Sequence, residues 1–264
     1  MNKELYFENI KTYKLLANKS LGQNFLINSE IAEIISKKLD LENGDNVLEI
    51  GAGLGSLSIF LADSKSRVDL IDIDERMLAH LTETFKDYDN VVVRRQNILK
   101  QDLKGYTKII GNLPYYITSS IIEHILVNAI DAKKIVLMTQ KEVYPKLINT
   151  FVSPLSLLLN YVCEISQPMS VGRNNFSPVP HVDSVVFELI PNKNIKNEEN
   201  KELLKLMQQL FLHRRKTILN CLQNITKDKD LASKILDDLG VNKMLRPEQL
   251  NINFYKSLLK QLKS

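Results

Sequence analysis

The sequence lacks the residue patterns from which metal sites, disulfide frameworks and membrane spans are built. Its two cysteines, Cys163 and Cys221, have neither metal-ligand spacing nor framework partners, which fits a reducing compartment. The four histidines are scattered, without acids or thiols at ligand spacing, and no Ser-His-Asp or Cys-His arrangement is recognisable. No apolar run reaches the length of a membrane span, and the start of the chain lacks the apolar core of a signal peptide. We therefore expect a cytoplasmic protein that binds neither a metal nor a membrane.

Apolar residues are nevertheless plentiful, and the charge is unevenly distributed. With 264 residues, 44% of them hydrophobic, the chain can bury the core of one large domain and of a smaller one. Residues 192–264 hold 15 lysines and arginines against 8 acids, whereas the remainder holds 20 against 23. A basic C-terminal part suits a polyanion such as RNA, because lysine and arginine neutralise phosphates. A solvated helix surface is the alternative that composition leaves open.

Short apolar runs alternate with helical segments through the first half of the chain, which predicts a parallel sheet covered by helices. The predicted strands are 47–51, 67–72, 91–94, 107–111 and 134–139. The predicted helices are 29–39, 55–63, 75–86, 118–130 and 141–149. Residues 162–171 and 184–190 are expected to form an antiparallel hairpin at the edge of the sheet, with Pro178 and Pro180 in its loop.

A glycine-rich turn follows the first predicted strand, in the sequence VLEIGAGLG at residues 47–55. Glycines let the backbone turn tightly and bring a ligand against the amides at a helix N-terminus. The next strand ends at Asp72, where an acid can bind two ribose hydroxyls. The G-x-G-x-G spacing differs from the G-x-G-x-x-G of dinucleotide folds and so argues against an oxidoreductase. S-adenosylmethionine, an adenosyl group with an amino-acid tail, fits this pattern, while a plain strand-to-helix connection is the structural alternative.

The tetrapeptide Asn112-Leu113-Pro114-Tyr115 ends another apolar strand. It places an amide oxygen and main-chain carbonyls beside an aromatic ring, and Pro114 contributes no backbone donor. This combination suits an aromatic amine such as that of adenine, whose lone pair is delocalised into the ring and needs acceptors to redirect it. An ordinary turn after a buried strand is the alternative for the tetrapeptide taken alone.

These motifs and four others resemble the small-subunit ribosomal RNA adenine dimethyltransferases, the KsgA family. The resemblance covers nearly the whole chain, with the segments in the family's order. The matching segments are SLGQNFL (20–26), the glycine turn (51–55), GNLPYYI (111–117), QKEV (140–143), FSPVPHVDS (176–184) and RRKT (214–217). The resemblance implies dimethylation of N6 on two adjacent adenosines in the 3′-terminal loop of 16S rRNA. The expected partner is an immature 30S subunit, and we expect a monomer.

The resemblance also assigns site residues. The catalytic residues would be Asn112, Leu113, Pro114, Tyr115 and Phe176, with the rings of Tyr115 and Phe176 stacking on opposite faces of the flipped base. S-adenosylmethionine would contact Gln23, Asn24, Leu26, Gly51, Gly53, Asp72, Ile73, Asn97, Ile98 and Asn112. The substrate RNA would contact Arg214, Arg215 and Lys216.

Two features depart from the family. Asn97 stands where the family usually has an aspartate that accepts a hydrogen bond from the cofactor's adenine amine, although an asparagine oxygen can also accept. Residues 146–154 form a shorter loop than is usual, which puts local RNA contacts there in doubt.

The resemblance, the sheet pattern and the helical spacing of the C-terminal leucines together predict an α/β protein. Residues 1–190 would form a Rossmann-like S-adenosylmethionine-dependent methyltransferase domain. The polar segment 191–200 would be a linker, and residues 201–264 a smaller all-helical, basic domain that binds RNA or the subunit, with Pro247 in the first turn of its last helix. The alternatives are a resistance-type methyltransferase of large-subunit 23S rRNA and a non-catalytic nucleic-acid-binding relative. The segments GNLPYY and RRKT favour the small-subunit family, and the presence of both Asn112 and Tyr115 favours catalysis.

Overall fold

A computed structural model of the chain describes residues 3–12, 17–18, 22–148, 152–196 and 198–263. Ser20 and Leu21 of the family-like segment, residues 149–151 of the predicted helix and shortened loop, and Asn197 of the predicted linker lie outside these ranges. The chain divides into two compact units, the first from residues 1–144 and 164–192, the second from residues 145–163 and 193–264. Residues 145–163 therefore group with the C-terminal helices, whereas the sequence placed them in the first domain.

The first unit is built on an eight-stranded mixed sheet and a separate two-stranded pair. In chain order the strands are β1 (Phe25–Leu26), β2 (Asn46–Ile50), β3 (Arg67–Asp72), β4 (Val91–Arg95), β5 (Lys108–Asn112), β6 (Lys134–Gln140), β7 (Cys163–Ile165), β8 (Met169–Val171), β9 (Phe176–Ser177) and β10 (Ser184–Pro191). The order across the sheet is β4-β3-β2-β5-β6-β10-β7, with β8 also on β10, and β1 pairs with β9. Strands β2 to β6 are parallel, while β10 runs antiparallel to β6.

Helices connect these strands and make up the second unit. They are α1 (Lys3–Thr12), α2 (Ser29–Lys37), α3 (Ser58–Leu61), α4 (Glu75–Thr84), α5 (Thr118–Asn128), α6 (Tyr144–Leu147), α7 (Pro154–Val162), α8 (Asn200–Phe211), α9 (Ile218–Thr226), α10 (Lys229–Asp238) and α11 (Ile252–Lys263). Within the described residues, every helix is too short or too polar to cross a membrane. The α/β fold with a parallel sheet core and a helical C-terminal part confirms the predicted fold class.

The five parallel strands lie within two residues of their predicted bounds; the apolar runs of β2, β3, β5 and β6 are buried in the sheet, and the valines of β4 are half-buried. The prediction of one strand over 162–171 is wrong. The apolar run before it forms α7, which begins with Pro154 after a capping box made by Ser153 and Ser156, and two short strands follow. The antiparallel pairing with β10 is nevertheless present, since Val171 of β8 lies opposite Ser184.

The second unit corrects two further predictions. Residues 193–196 form a 3-10 turn in which Ile195 is buried, and α8 begins at the buried Asn200, so the described residues of the predicted linker 191–200 are partly structured and partly buried. Pro247 belongs to a separate 3-10 turn at 247–249 and not to the last helix, which begins at Ile252. The carbonyl of Pro247 accepts a hydrogen bond from the buried hydroxyl of Tyr255 at 2.5 Å, and this bond fixes the turn against α11.

Helix α1 packs directly on the glycine-rich turn that follows β2. The Tyr6 hydroxyl donates to the carbonyl of Leu54, and a Cβ at Gly55 would lie only 2.7 Å from the Tyr6 hydroxyl oxygen. Gly55 also has a φ of +81°, in the left-handed region that glycine occupies without strain. Backbone conformation and side-chain crowding therefore both require glycine at this position.

We expect Gly55→Ala to destabilise the protein more than Gly105→Ala. Gly105 has a similar φ of +84° but nothing within 4 Å of an added Cβ, so its substitution measures the conformational cost alone, about 1–2 kcal/mol. The crowding at Gly55 should add about 1–3 kcal/mol, the usual cost of overpacking. Urea unfolding of both variants measures the difference, and equal losses would show that Tyr6 moves aside freely.

Candidate active site

The parallel strands β2, β3 and β5 carry polar and glycine residues where their carboxyl ends meet at one edge of the sheet. A cavity of about 290 Å³ opens there. Such an edge is the usual place for ligands in open α/β sheets, because the loops after the strands surround a common crevice. The cavity is lined by residues 22–26, 49–53, 56–57, 71–73, 96–99 and 112–117.

The structure brings together all ten residues that the sequence assigned to the cofactor. Four of the five predicted catalytic residues, Asn112 to Tyr115, line the same cavity. The three predicted RNA-contacting residues are not among the lining residues and belong to the second unit.

Phe176 is the exception among the predicted catalytic residues. Its side chain is only 1% exposed, and it lies in the apolar core with Phe25 and Leu26. Strand β9 holds it there, because Phe176 lies opposite Leu26 in the pairing of β9 with β1. The prediction that Phe176 forms a second stacking wall of the cavity is therefore wrong in this structure.

The side-chain amide of Asn112 is oriented by the neighbouring segment. Its Nδ2 donates to the carbonyl of Asn24 at 3.0 Å, which leaves Oδ1 as the atom available to a ligand. Oδ1 is buried and accepts no hydrogen bond from any residue that the structure describes. A buried acceptor without a donor costs about 1–3 kcal/mol. The cavity wall is therefore suited to a ligand that donates an N–H at this point.

Tyr115 is partly buried beside Asn112. Its hydroxyl lies 3.0 Å from the Ser184 hydroxyl oxygen, an interaction that fixes the end of the ring against β10. Burial raises the pKa of the Tyr115 hydroxyl, so the ring stays neutral at physiological pH. Held in this way, the ring offers a fixed flat surface next to the unpaired oxygen of Asn112.

Residues 22–26 form a strap along one wall of the cavity. Both ends of the Gln23 amide bind protein: Oε1 accepts from the backbone N–H of Asn18 at 2.8 Å, and Nε2 donates to Asp74 at 3.0 Å. The hydrogen bonds of Arg76, together with that of Gln23, lower the pKa of Asp74 to about 2. Gln23 thus lines the cavity while its amide holds the strap in place.

Asp72 joins the glycine turn to the next loop. Its two carboxylate oxygens accept from the backbone amides of Gly53, at 2.9 Å, and of Ile73 and Asp74, at 2.7 and 2.9 Å. Burial raises the pKa of Asp72, and these three amides oppose that shift. A carboxylate has about four acceptor sites, so Asp72 retains capacity for a ribose hydroxyl.

Gly51 and Gly53 adopt φ values of +65° and +57°, as the tight turn requires. A Cβ at Gly53 would lie 3.1 Å from the ring of Phe25 in the strap. A larger residue at this position would therefore press the turn and the strap apart.

Asn97 is exposed and begins the 3-10 turn 98–100. Its Oδ1 accepts from the backbone N–H of Leu99 at 2.9 Å, so the oxygen already serves as a cap. Only the oxygen of an amide side chain can accept a hydrogen bond, so this bond fixes the orientation of the Asn97 amide. Oδ1 points toward the Leu99 N–H, and Nδ2 lies on the other side of the amide.

Sequence reasoning missed Glu49 as a residue of the cavity. Glu49 is 2% exposed, lines the cavity, and accepts a hydrogen bond from the Ser58 hydroxyl at 2.7 Å. Burial raises the pKa of Glu49 to about 8 and nearby Asp72 adds to this, while Ser58 opposes it. The raised pKa favours the protonated form of the side chain. Its position two residues before Gly51, at the end of a buried strand, was the signal that could have identified it.

The predicted RNA-contacting residues Arg214, Arg215 and Lys216 lie in the turn between α8 and α9. All three are exposed, and none forms an ion pair with a residue in the described part of the chain. Backbone hydrogen bonds from Arg214 to Phe211 and from Lys216 to His213 hold the turn. Among the described residues, no group of three histidine, cysteine, aspartate or glutamate side chains could hold a metal ion.

The cavity residues fit S-adenosylmethionine. Asp72 can take ribose hydroxyls, the glycine turn gives the ligand close access to backbone, and the apolar side chains of Ile73 and Ile98 can cover the faces of an adenine ring. The unpaired Oδ1 of Asn112 remains for a donor on the substrate.

Comparisons with known proteins agree with this geometry. The ribosomal RNA adenine dimethylase family model matches residues 14–262. The chain is 36% identical to the ribosomal RNA small subunit methyltransferase A of Ligilactobacillus salivarius, over 92% of this chain and 89% of the relative. It is 33% identical to the protein of the same name from Alkaliphilus metalliredigens, over 96% and 94% of the two chains.

Solved structures share the fold of this chain. A dimethyladenosine transferase from Plasmodium falciparum is 26% identical with a TM-score of 0.74, over 89% of this chain and 96% of that one. The 23S rRNA methyltransferase ErmE shares the fold with a TM-score of 0.64 at 24% identity, over 91% of this chain and 100% of that one. The sequence match across nearly the whole chain, together with the glycine turn and the Asn112 site, means that this chain belongs to the ribosomal RNA adenine dimethylase family.

Proposed function

We propose that this protein methylates the N6 amines of two adjacent adenosines in the 3′-terminal loop of 16S rRNA during assembly of the small subunit. As a family member it is an rRNA adenine dimethyltransferase, and its cofactor is S-adenosylmethionine. The main support for the proposal is the buried Oδ1 of Asn112, which has no hydrogen-bond donor among the described residues. The names of the relatives support a small-subunit target over the large-subunit alternative. An immature 30S subunit as partner, action as a cytoplasmic monomer and independence from metals are parts of the same proposal.

The adenine amine would be bound by two acceptors. One is Asn112 Oδ1, and the other is the carbonyl of Leu113. The neighbouring Pro114 carbonyl already accepts from the N–H of Ile117 at 3.2 Å and from the Thr118 hydroxyl at 3.3 Å. The Leu113 carbonyl has no such donor within the described residues, while the Leu113 N–H is held by Met138 at 2.9 Å. Leu113 is therefore the better second acceptor.

These two acceptors would activate the amine without a strong base. By accepting both N–H groups they favour a pyramidal nitrogen, and they stabilise the positive charge that develops on it. When bound, S-adenosylmethionine supplies an electrophilic methyl group whose sulfonium charge disappears on transfer. The methylated amine then loses its proton to solvent. Positioning by Asn112 and Leu113 would provide most of the acceleration.

The target base must leave its stack to reach these acceptors, which costs a few kcal/mol. The fixed ring of Tyr115 can offset part of this cost, since an aromatic stack contributes about 1–3 kcal/mol per base. The exposed cations Arg214, Arg215 and Lys216 would hold phosphates of the RNA and supply affinity that does not depend on the base.

One experiment tests the proposal as a whole. The protein is incubated with radiolabelled S-adenosylmethionine and, separately, with undermethylated 30S and 50S subunits. We expect label in 16S rRNA as N6,N6-dimethyladenosine at two adjacent positions. Label in 23S rRNA would support the resistance-type alternative, and cofactor binding without transfer to either RNA would support a non-catalytic relative.

Asn97 would lie beside the adenine of the cofactor. Because its Oδ1 already caps the turn at Leu99, Asn97 has at most one acceptor position left for the adenine amine. An aspartate would keep the cap and offer a second acceptor oxygen. We therefore expect Asn97→Asp to bind S-adenosylmethionine more tightly, by up to about tenfold, since a charged acceptor forms the stronger hydrogen bond.

Calorimetric titration measures this effect, with Asn97→Ala as the control that removes both the cap and the polar group facing the adenine. Weaker cofactor binding by Asn97→Asp, at an unchanged melting temperature, would contradict the arrangement.

For Asn112→Ala, we expect cofactor affinity to stay within about threefold and methyl transfer to fall by at least 100-fold. The lost oxygen acts on the amine in the transition state, where removal of one such group costs roughly 10²–10³ in rate. Single-turnover kinetics on undermethylated 30S subunits measures the rate. Tyr115→Phe, which keeps the ring and removes only the hydroxyl that faces Ser184, serves as the matched control. Transfer by Asn112→Ala within tenfold of the wild type would remove Asn112 from the mechanism.

Replacing Arg214, Arg215 and Lys216 with glutamine should weaken binding to RNA or subunits. The slope of log affinity against log salt should fall by about 0.7–0.9 for each phosphate that the protein no longer neutralises. Lys201, Lys205 and Lys229 are also exposed in the second unit, so their triple glutamine variant carries the same change in net charge. Equal effects of the two triple variants would indicate general electrostatics. A lowered melting temperature with an unchanged slope would indicate a structural role.

A further inference from the structure

Tyr116 is an exposed aromatic residue at the mouth of the cavity. It lines the cavity, yet 58% of its surface is exposed, whereas Leu113 in the same loop is buried. We propose that Tyr116 forms a second base-binding subsite, which stacks the unpaired nucleobase next to the target adenosine. This inference deepens the proposed function and rests on it.

The backbone of Tyr116 is held in one position. It lies in the 3-10 turn 115–117, which the Ile117 N–H closes onto the Pro114 carbonyl at 3.2 Å. The Thr118 hydroxyl bonds the Pro114 carbonyl as well, and it lies 3.2 Å from the hydroxyl oxygen of Thr139 on β6. The exposed ring is therefore carried on a fixed turn at the edge of the sheet.

The strap supports the ring from one side. A Cβ at Gly22 would lie 3.5 Å from Cδ1 of Tyr116, so the ring rests against the bare backbone of this glycine. Gly22 has a φ of +63°, and its carbonyl accepts from the side chain of Asn24 at 3.1 Å. The ring is thus backed by a hydrogen-bonded segment and leaves the rest of its surface for a ligand.

A nucleobase is the ligand that fits this surface. When the target adenosine leaves its stack for the ring of Tyr115, the next base along the strand loses a stacking partner. Tyr116 follows Tyr115 directly, and their Cα atoms are about 3.8 Å apart, so neighbouring rings can serve neighbouring bases. Stacking on an aromatic ring accepts any base, because every base has a π face. With two adjacent target adenosines, the stacked neighbour would be the second substrate.

The test compares four variants on undermethylated 30S subunits: Tyr116→Ala, Tyr116→Leu, Tyr116→Phe and Ile34→Ala. Ile34 is an exposed apolar residue of α2 in the same unit and controls for general loss of apolar surface. We expect the alanine and leucine variants to raise KM for the subunit by about 5- to 150-fold, the equivalent of one stacked base. The phenylalanine and Ile34→Ala variants should stay within twofold of the wild type, and all four should bind S-adenosylmethionine normally.

A hairpin RNA of the target loop then identifies the base. Binding is compared for the intact hairpin and for one in which the nucleotide beside the target adenosine is abasic. The defect of Tyr116→Ala should appear on the intact hairpin and vanish on the abasic one. A KM within twofold of the wild type for Tyr116→Ala would overturn the inference, as would an equal defect on both hairpins. If the wild type transfers no methyl group to 30S subunits, the proposed function fails, which is a different outcome from an unaffected Tyr116 variant.

Discussion

The hydrogen bond from the Asn112 side chain to the carbonyl of Asn24 determines the chemistry that the cavity can perform. A primary amide presents either a donor or an acceptor, and its two orientations have the same shape. Because the Asn24 carbonyl can only accept, it binds Nδ2 and leaves Oδ1 as an acceptor. A site built around that acceptor selects an amine and rejects groups that can only accept. In the proposed mechanism, the preference for an amine therefore depends on one backbone carbonyl outside the tetrapeptide 112–115.

That carbonyl belongs to the strap, residues 22–26, which is fixed at several points. Gln23 is bonded to Asp74, the Leu26 carbonyl accepts from the Ser56 hydroxyl at 2.6 Å, and β1 pairs with β9. Asp74 in turn follows Asp72, whose carboxylate organises the glycine turn. The wall of the cavity and the orientation of the Asn112 amide thus depend on one stretch of backbone. A substitution that moves the strap should therefore change both the cavity wall and the orientation of the Asn112 amide.

Features that depend on local sequence were predictable, and features that depend on distant pairing were not. Apolar runs identified β2 to β6, and the glycine spacing identified the turn beneath the cavity. Phe176 was misjudged because its burial follows from a two-residue strand that pairs across about 150 residues of chain, too short to leave a periodic pattern. Asn97 uses Oδ1 to cap a turn, and Gln23 uses both Oε1 and Nε2 to bind other parts of the protein. The residue type alone does not determine which side-chain atom forms which hydrogen bond. Helix α7 is leucine-rich and apolar on most of its faces. The spacing of its apolar residues therefore gave little indication of a helix.

The packing of Tyr6 on the glycine turn has a consequence for how this sequence can change over evolutionary time. Because the Tyr6 hydroxyl occupies the space that a side chain at position 55 would fill, a larger residue at position 55 would clash with Tyr6. Replacing Tyr6 by a shorter side chain would relieve the crowding at position 55 but not the strain that its φ of +81° imposes on a larger residue, and it would open a gap beside Leu81 and Phe85, which crowd the same point. The choice of side chain on the first helix is therefore limited by the shape of the glycine turn, although some 50 residues separate them in the chain.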